Sequence, residues 1–126
     1  MKTAHDLVQA AKARVTEIGP EQAEQALREG AVLIDVREES EFAAGHIPGA
    51  LHASRGMLEF KLSAEPALQP RDRKFVLYCK TGGRAALAGA AMLDMGYRDV
   101  LSLSGGFEAW RAAGRPVAMP PQPSFE

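Results

Sequence analysis

The sequence predicts an α/β fold with a central, mostly parallel five-stranded sheet and helices on both faces. Two observations lead to this expectation. Short runs of aliphatic and aromatic residues alternate along the chain with longer stretches that favour helix, the order expected when helices connect parallel strands. The two clearest runs, 31–34 and 75–78, are entirely apolar. Such runs are typical of strands that are buried on both faces of a sheet.

The size and composition predict one main domain. The chain has 126 residues and 46% hydrophobic content, enough to bury a core. We divide it into an N-terminal helical extension (1–14), a central domain (15–116) and a Pro-rich tail (117–126). The net charge of -1 and the dispersed charges predict no nucleic-acid partner, and no apolar run has membrane-spanning length. The single cysteine, Cys79, excludes an internal disulfide and fits a reducing compartment, so the predicted location is cytoplasmic.

The first half of the chain contains helix and strand signals in alternation. Segment 3–14 has apolar residues at helical spacing, with Thr3 in position to cap the helix. Gly19 and Pro20 end one strand and begin the next helix, because proline suits the first turn of a helix. Gly45 ends a later short helix. The predicted elements are helix 3–14, strand 15–18, helix 21–28, strand 31–36, helix 40–44, strand 50–53 and helix 57–62.

The second half begins with a surface connection, 63–73, which contains two prolines. An Ala-rich stretch follows the next strand and favours helix until Gly96 stops it. From Gly114 onward the prolines prevent a helix, and we expect this tail to be mobile. The predicted elements are strand 75–78, helix 85–93, strand 100–103, turn 104–106 and helix 107–112.

Cys79 lies where a predicted strand meets a predicted helix. The first N–H groups of a helix have no intrahelical partner and carry the positive end of its dipole. Gly82 and Gly83 allow the loop to turn these donors inward and form a cradle for an anion. Lys80 and Arg84 add positive charge at either side. A thiolate at the centre of this cradle is stabilised, so we predict a nucleophile that acts on an anionic substrate.

Charged residues collect at the carboxyl end of the predicted strand 31–36, where ligands bind in open α/β sheets. We expect Asp35 to brace the cysteine loop from the neighbouring strand. We expect Arg37 to pair with Glu41 across a turn of the short helix and so anchor the strand end. Both Asp35 and Arg37 are therefore predicted to support the site. The scattered histidines lack ligand spacing, so no metal is predicted.

Four blocks in the expected order give the sequence a family resemblance. The blocks are 33–37 with Glu38 and Glu41, 45–50, 79–84, and 103–107 with Trp110. Over 15–116 the chain resembles the single-domain rhodanese-like sulfurtransferases of the thiosulfate sulfurtransferase family. The resemblance implies a rhodanese-like fold and an enzyme that needs no cofactor. It also implies that Cys79 takes a sulfane sulfur from a donor such as thiosulfate and passes it, as a persulfide, to cyanide or a thiol.

The same resemblance implies roles for the rest of the loop. Lys80 matches a position that often carries a cation facing the sulfonate end of the donor. Thr81 can donate a hydroxyl hydrogen bond to the persulfide, whose terminal sulfur is held by N–H groups of the loop that contains Gly82 and Gly83. Arg84 matches the arginine that closes the loop in many members. Two interpretations stay open for Arg84: it contacts the substrate, or it ties the loop to a neighbouring carboxylate.

Two other functions compete with sulfur transfer from a small molecule. The first is a relay or regulatory module that receives sulfur from a partner protein and turns over little thiosulfate. The second is a cysteine-dependent phosphatase or arsenate reductase, whose loop between Cys and Arg is longer. Here four residues separate Cys79 from Arg84, and this tighter ring suits one sulfur atom better than a phosphate group.

Overall fold

Five parallel strands form the centre of the structure, a computed structural model in which residues 1–119 are described. The strand order is β1-β5-β4-β2-β3, and every neighbouring pair is parallel. The predicted α/β fold is confirmed, and the sheet, expected to be mostly parallel, is parallel throughout. The strands are β1 (Thr16–Ile18), β2 (Val32–Asp35), β3 (Leu51–His52), β4 (Lys74–Tyr78) and β5 (Asp99–Leu103).

Among residues 1–119, six α-helices connect or flank the strands: α1 (Ala4–Lys12), α2 (Pro20–Arg28), α3 (Glu39–Ala44), α4 (Leu58–Ala64), α5 (Gly83–Asp94) and α6 (Gly106–Ala112). The predicted surface connection 63–73 instead includes a 3-10 turn, Pro66–Leu68, and buries Leu68. Pro20 opens α2 as expected. Within the described residues, no helix is both long enough and apolar enough to cross a membrane.

The sheet is covered on both faces, as the composition of its central strand requires. Side chains alternate between faces along a strand, so Phe75 and Leu77 of β4 enter one hydrophobic cluster while Val76 and Tyr78 enter the other. The first cluster includes residues of α4 and α5, and the second includes residues of α2 and α6. The cysteine loop therefore leaves the central strand of the sheet and enters a helix on the first face.

Helix α1 packs on its own domain, against α5. The Val15 side chain lies 2.9 Å from the position that a Cβ on Gly89 would take, so only glycine permits this approach. Arg14 and Asp94 form an ion pair at 2.6 Å near the end of both segments. Val8 lies against Gly83, the first residue of α5, at 3.6 Å from the equivalent Cβ position. The extension thus contacts the helix that follows the cysteine loop.

The start of the Pro-rich tail is attached to the domain, and the expectation that it is mobile from Gly114 onward is wrong as far as Ala118. His46 and Ala118 exchange two backbone hydrogen bonds of 2.8 Å in an antiparallel bridge. The Trp110 Nε1–H donates to the Pro116 carbonyl at 2.7 Å. Proline prevents a helix here, but it leaves neighbouring residues able to pair in an extended conformation. The remainder of the predicted tail, 120–126, lies outside the described residues.

Candidate active site

The Cys79 thiol lies at the junction of β4 and α5, with the residue only 1% exposed. Its Sγ accepts a hydrogen bond from the Gly82 N–H at 3.0 Å. Gly82 has φ of +129°, a conformation that glycine adopts without strain, and α5 begins at the next residue. The loop therefore curls back on the sulfur. The sulfur lies at the start of α5, where unpaired N–H groups and the helix dipole favour negative charge.

The other side of the loop is held by α6. The Phe107 N–H donates to the Cys79 carbonyl at 2.8 Å, and the Glu108 N–H donates to the Lys80 carbonyl at 3.1 Å. In a trans peptide the N–H points opposite to the C=O. The N–H groups of Lys80 and Thr81 therefore point away from α6. In this way the first turn of α6 fixes the orientation of two loop peptides.

Gly106 makes this contact between α6 and the loop feasible. A Cβ at this position would lie 2.5 Å from the Cys79 carbonyl oxygen and 2.6 Å from that of Lys80. Its φ of +58° also belongs to the left-handed region. The sequence predicted a turn at 104–106, but its role beneath the cysteine loop was missed. The detectable signal was the pair of glycines, Gly105 and Gly106, one residue after β5.

Arg84 forms an ion pair with Glu41 of α3. Its Nη1 donates to Oε1 at 2.7 Å and its Nη2 donates to Oε2 at 3.1 Å. Hydrogen bonds from Arg84 lower the pKa of Glu41 to about 2. The hydrogen bond to Glu41 in turn raises the pKa of Arg84, and the charge of Cys79 adds to this effect. Of the two interpretations left open for Arg84, the tie to a carboxylate is present in the structure.

The predicted pair between Arg37 and Glu41 is wrong. Arg37 instead binds Asp35, with Nη2 at 2.7 Å from Oδ2, and donates to the Gly45 carbonyl at 2.6 Å. Two residues apart in an extended strand end, Asp35 and Arg37 point to the same side, whereas Glu41 is occupied by Arg84. Asp35 is 0% exposed and Arg37 is 4% exposed, so this ion pair is buried.

A series of contacts links the buried pair to the loop. The Arg37 guanidinium lies 4.3 Å from the centre of the Phe107 ring, and the backbone of Phe107 binds the Cys79 carbonyl. Tyr78 lies nearby, and burial raises the pKa of its hydroxyl, which accepts a hydrogen bond from the Ile47 N–H at 3.0 Å. These contacts join the end of β2, the end of α3 and the start of α6. Asp35 is thus linked to the loop through Arg37 and the Phe107 ring of α6, and its predicted bracing role stays a prediction.

The remaining predicted loop residues face solvent. Lys80 lies with its Nζ 3.8 Å from Oε1 of Glu108, and both side chains are about 60% exposed. Thr81 is also exposed. The predicted contacts of Lys80 with the donor and of Thr81 with the persulfide stay predictions. The positions of both residues at the mouth of the loop leave them accessible to a small molecule.

A model of the Rhodanese-like domain family matches residues 19–113, which include the strands β2 to β5, the cysteine loop and α6. The chain belongs to the rhodanese-like domain family. The predicted family is thereby confirmed. This rhodanese-like chain is 42% identical over 97 residues to the thiosulfate sulfurtransferase GlpE of Pseudomonas savastanoi pv. phaseolicola, covering 75% of this chain and 86% of the relative.

Two solved structures extend the comparison across the rhodanese-like chain. The polysulfide-sulfur transferase homodimer of Wolinella succinogenes matches with a TM-score of 0.77 and 34% identity, covering 90% of this chain and 85% of that one. A protein of unknown function from Rhodopseudomonas palustris, described as a possible tyrosine phosphatase, matches with a TM-score of 0.86 and 35% identity. The match covers 94% of this chain and 96% of the Rhodopseudomonas palustris chain. The family and the sulfurtransferase relatives support sulfur transfer as the general activity.

Proposed function

We propose that the protein is a rhodanese-type thiosulfate sulfurtransferase in which Cys79 carries sulfur as a persulfide. The observation that carries the proposal is the hydrogen bond of 3.0 Å from the Gly82 N–H to Sγ, within a loop that opens α5. This setting stabilises a thiolate and, after sulfur transfer, a charged terminal sulfur. A cytoplasmic location is part of the proposal, because a single free cysteine is compatible with a reducing compartment.

In the first half-reaction the Cys79 thiolate attacks the outer sulfur of thiosulfate. A new S–S bond forms to Cys79 while the S–S bond of thiosulfate breaks, and sulfite leaves with the electron pair of that bond. The product is a persulfide with its negative charge on the terminal sulfur. We expect N–H groups of the loop, including that of Gly82, to donate to this sulfur. Their stabilisation of the charge lowers the barrier to transfer.

In the second half-reaction an acceptor attacks the terminal sulfur and releases the Cys79 thiolate. Cyanide leaves as thiocyanate, whereas a thiol gives up its proton and leaves as a persulfide. Cys79 is the only cysteine in the sequence, so no second cysteine of this chain can resolve the intermediate. The acceptor is therefore a separate molecule. No cofactor is required, because the sulfur itself is the transferred group.

Lys80 is proposed to bind the sulfonate end of the donor, and Thr81 is proposed to donate its hydroxyl hydrogen bond to the persulfide. An ion pair of 3.8 Å between exposed groups is weak, so the Lys80 ammonium can leave Glu108 at little cost. Thr81 can add a hydroxyl donor from the adjacent position. With the outer sulfur in the loop, the sulfonate lies at its mouth, where both side chains are exposed.

Three features argue against hydrolysis of phosphate esters. The loop between Cys79 and Arg84 has four residues and is shorter than that of cysteine-dependent phosphatases. Arg84 is bound by both carboxylate oxygens of Glu41. Asp35, the aspartate at the carboxyl end of β2, is fully buried and bound to Arg37. An acid in that position cannot protonate a leaving group at the loop.

The proposal is tested by measuring thiocyanate formed from thiosulfate and cyanide. Wild-type protein is expected to turn over, and Cys79→Ser is expected to be inactive while keeping its urea midpoint, since the change replaces one atom. A Cys79→Ser rate near that of wild type would overturn the mechanism. A wild-type protein that is inactive with thiosulfate, yet accepts sulfur on Cys79 from a persulfide-bearing protein, would instead assign the relay function.

A further inference from the structure

Glu41 was not among the predicted site residues, yet it is the closest partner of the loop arginine. It lies in the first turn of α3, 43 residues before Arg84, and binds that guanidinium with both oxygens. The same carboxylate accepts the Glu38 N–H at 3.0 Å as part of a capping box. Two constraints therefore hold this carboxylate in one orientation beside the loop.

Arg84 is the second residue of α5 and directly follows the loop. It lies close enough to Cys79 for the charge of the sulfur to affect it. A forked guanidinium in this position is the group best suited to bind two oxygens of a tetrahedral oxyanion. Glu41 presents its own two oxygens to the same fork. An oxyanion at the centre of the loop would have to compete with this internal carboxylate.

We propose that Glu41 is a specificity-determining residue that occupies Arg84 and so excludes phosphate-like dianions from the centre of the cysteine loop. A single sulfur atom needs only the loop N–H groups and is not excluded. The part of this proposal that treats thiosulfate as the donor rests on the proposed function. Hydrogen bonds from Arg84 lower the pKa of Glu41 to about 2, so the carboxylate is charged at neutral pH and competes with an oxyanion for Arg84.

The proposal separates two kinds of anion binding. Phosphate or arsenate must place its oxygens at the centre of the loop, where Arg84 is needed. Thiosulfate places its outer sulfur there and its sulfonate at the mouth, beside Lys80. Removing the charge of Glu41 should therefore favour phosphate and arsenate while leaving thiosulfate almost unaffected.

The experiment uses Glu41→Gln, because glutamine keeps the shape and the capping box but carries no charge. Cys79 is alkylated with iodoacetamide at increasing concentrations of phosphate or arsenate, and the protection gives a dissociation constant. We expect this constant to fall about tenfold in Glu41→Gln, the effect of one released charged hydrogen-bonding group. The KM for thiosulfate is expected to stay within about twofold of wild type.

Two controls isolate the effect. Glu24→Gln removes the same charge from α2, on the opposite face of the sheet, where Glu24 pairs with Arg28 and Arg115. It should leave anion protection unchanged. The double variant Glu41→Gln with Arg84→Gln should not show the stronger protection by phosphate and arsenate, because the arginine that Glu41→Gln releases is absent. Alkylation without anion reports whether each variant keeps the loop, and Glu41→Ala replaces Glu41→Gln if the latter does not fold.

Unchanged or weaker protection of Glu41→Gln by phosphate and arsenate would overturn the proposal. A gain that persists in the double variant would also overturn it, because the gain would then not pass through Arg84. Alkylation requires no sulfur transfer. If the wild-type protein fails to form a persulfide, the protection assay still decides the role of Glu41, so the two proposals fail independently.

Discussion

Replacing Gly106 with alanine tests the support of the cysteine loop most severely. The new Cβ would lie 2.5 Å from the Cys79 carbonyl oxygen, whereas ordinary contacts begin at 3.4 Å. The loop peptide must therefore move by about 0.9 Å relative to α6. The left-handed φ of +58° adds roughly 1 kcal/mol for a residue with a Cβ.

The displacement also affects two hydrogen bonds. The bonds from the Phe107 and Glu108 N–H groups, at 2.8 and 3.1 Å, would lengthen beyond useful range, and each contributes about 1 kcal/mol. We therefore expect Gly106→Ala to lose about 3 kcal/mol of unfolding free energy. A shift of this size in a nucleophile is expected to slow persulfide formation by about a hundredfold.

Gly105→Ala is the matched control. Its Cβ would lie 2.7 Å from the Ala109 Cβ, so the clash falls within α6 and not on the loop, although φ is again positive at +73°. Urea unfolding gives the stability of each variant, and mass spectrometry of thiosulfate-treated protein gives the rate of persulfide formation at equal folded fraction. Persulfide formation should be far slower in Gly106→Ala than in Gly105→Ala. Equal rates in the two variants would refute the role assigned to Gly106.

Three further predictions follow from other contacts. Lys80→Ala should raise the KM for thiosulfate with little change in kcat, because it removes a cation that binds the sulfonate; an unchanged KM in steady-state assays would show that Lys80 does not face the donor. Asp35→Asn should lower the unfolding free energy by about 3–5 kcal/mol, because it leaves Arg37 buried without its counter-charge. Urea midpoints test this, with Asp94→Asn at an exposed pair as a control that should change little. Hydrogen bonds hold the pKa of Glu41 near 2 in the folded state, below its ordinary 4.5. Glu41 thus stabilises the fold above pH 4.5, and this contribution, about 1 kcal/mol after solvent screening, is lost as the pH falls from 4.5 toward 2. The difference in stability between wild type and Glu41→Gln should shrink over that range; a constant difference would contradict the assignment.

The strands and the cysteine loop could be predicted because their signals are local. The apolar run 75–78 identifies a central strand without knowledge of its neighbours. Gly82 and Gly83 mark the place where the chain must bend before α5. The order of strands and helices then favours a parallel or mostly parallel sheet, since each connection is long enough to cross over.

The contacts that the sequence did not predict depend on distant segments. Glu41 lies closer in sequence to Arg37 than to Arg84. The fold, however, brings α3 beside α5, so Glu41 pairs with Arg84. The clash that requires Gly106 arises only where β5 delivers α6 beneath the loop. The attachment of Ala118 to His46 likewise joins segments 72 positions apart. The local sequence carries no information on which distant carboxylate an arginine will bind, or on which distant segment a strand or tail will pair with.

The most direct test of the central claim is the intact mass of the protein after incubation with thiosulfate and removal of excess donor. The account predicts a gain of one sulfur atom, located on Cys79 by peptide analysis, absent in Cys79→Ser and discharged by cyanide. A protein that turns over thiosulfate without this gain, or that carries the sulfur on another residue, would contradict it.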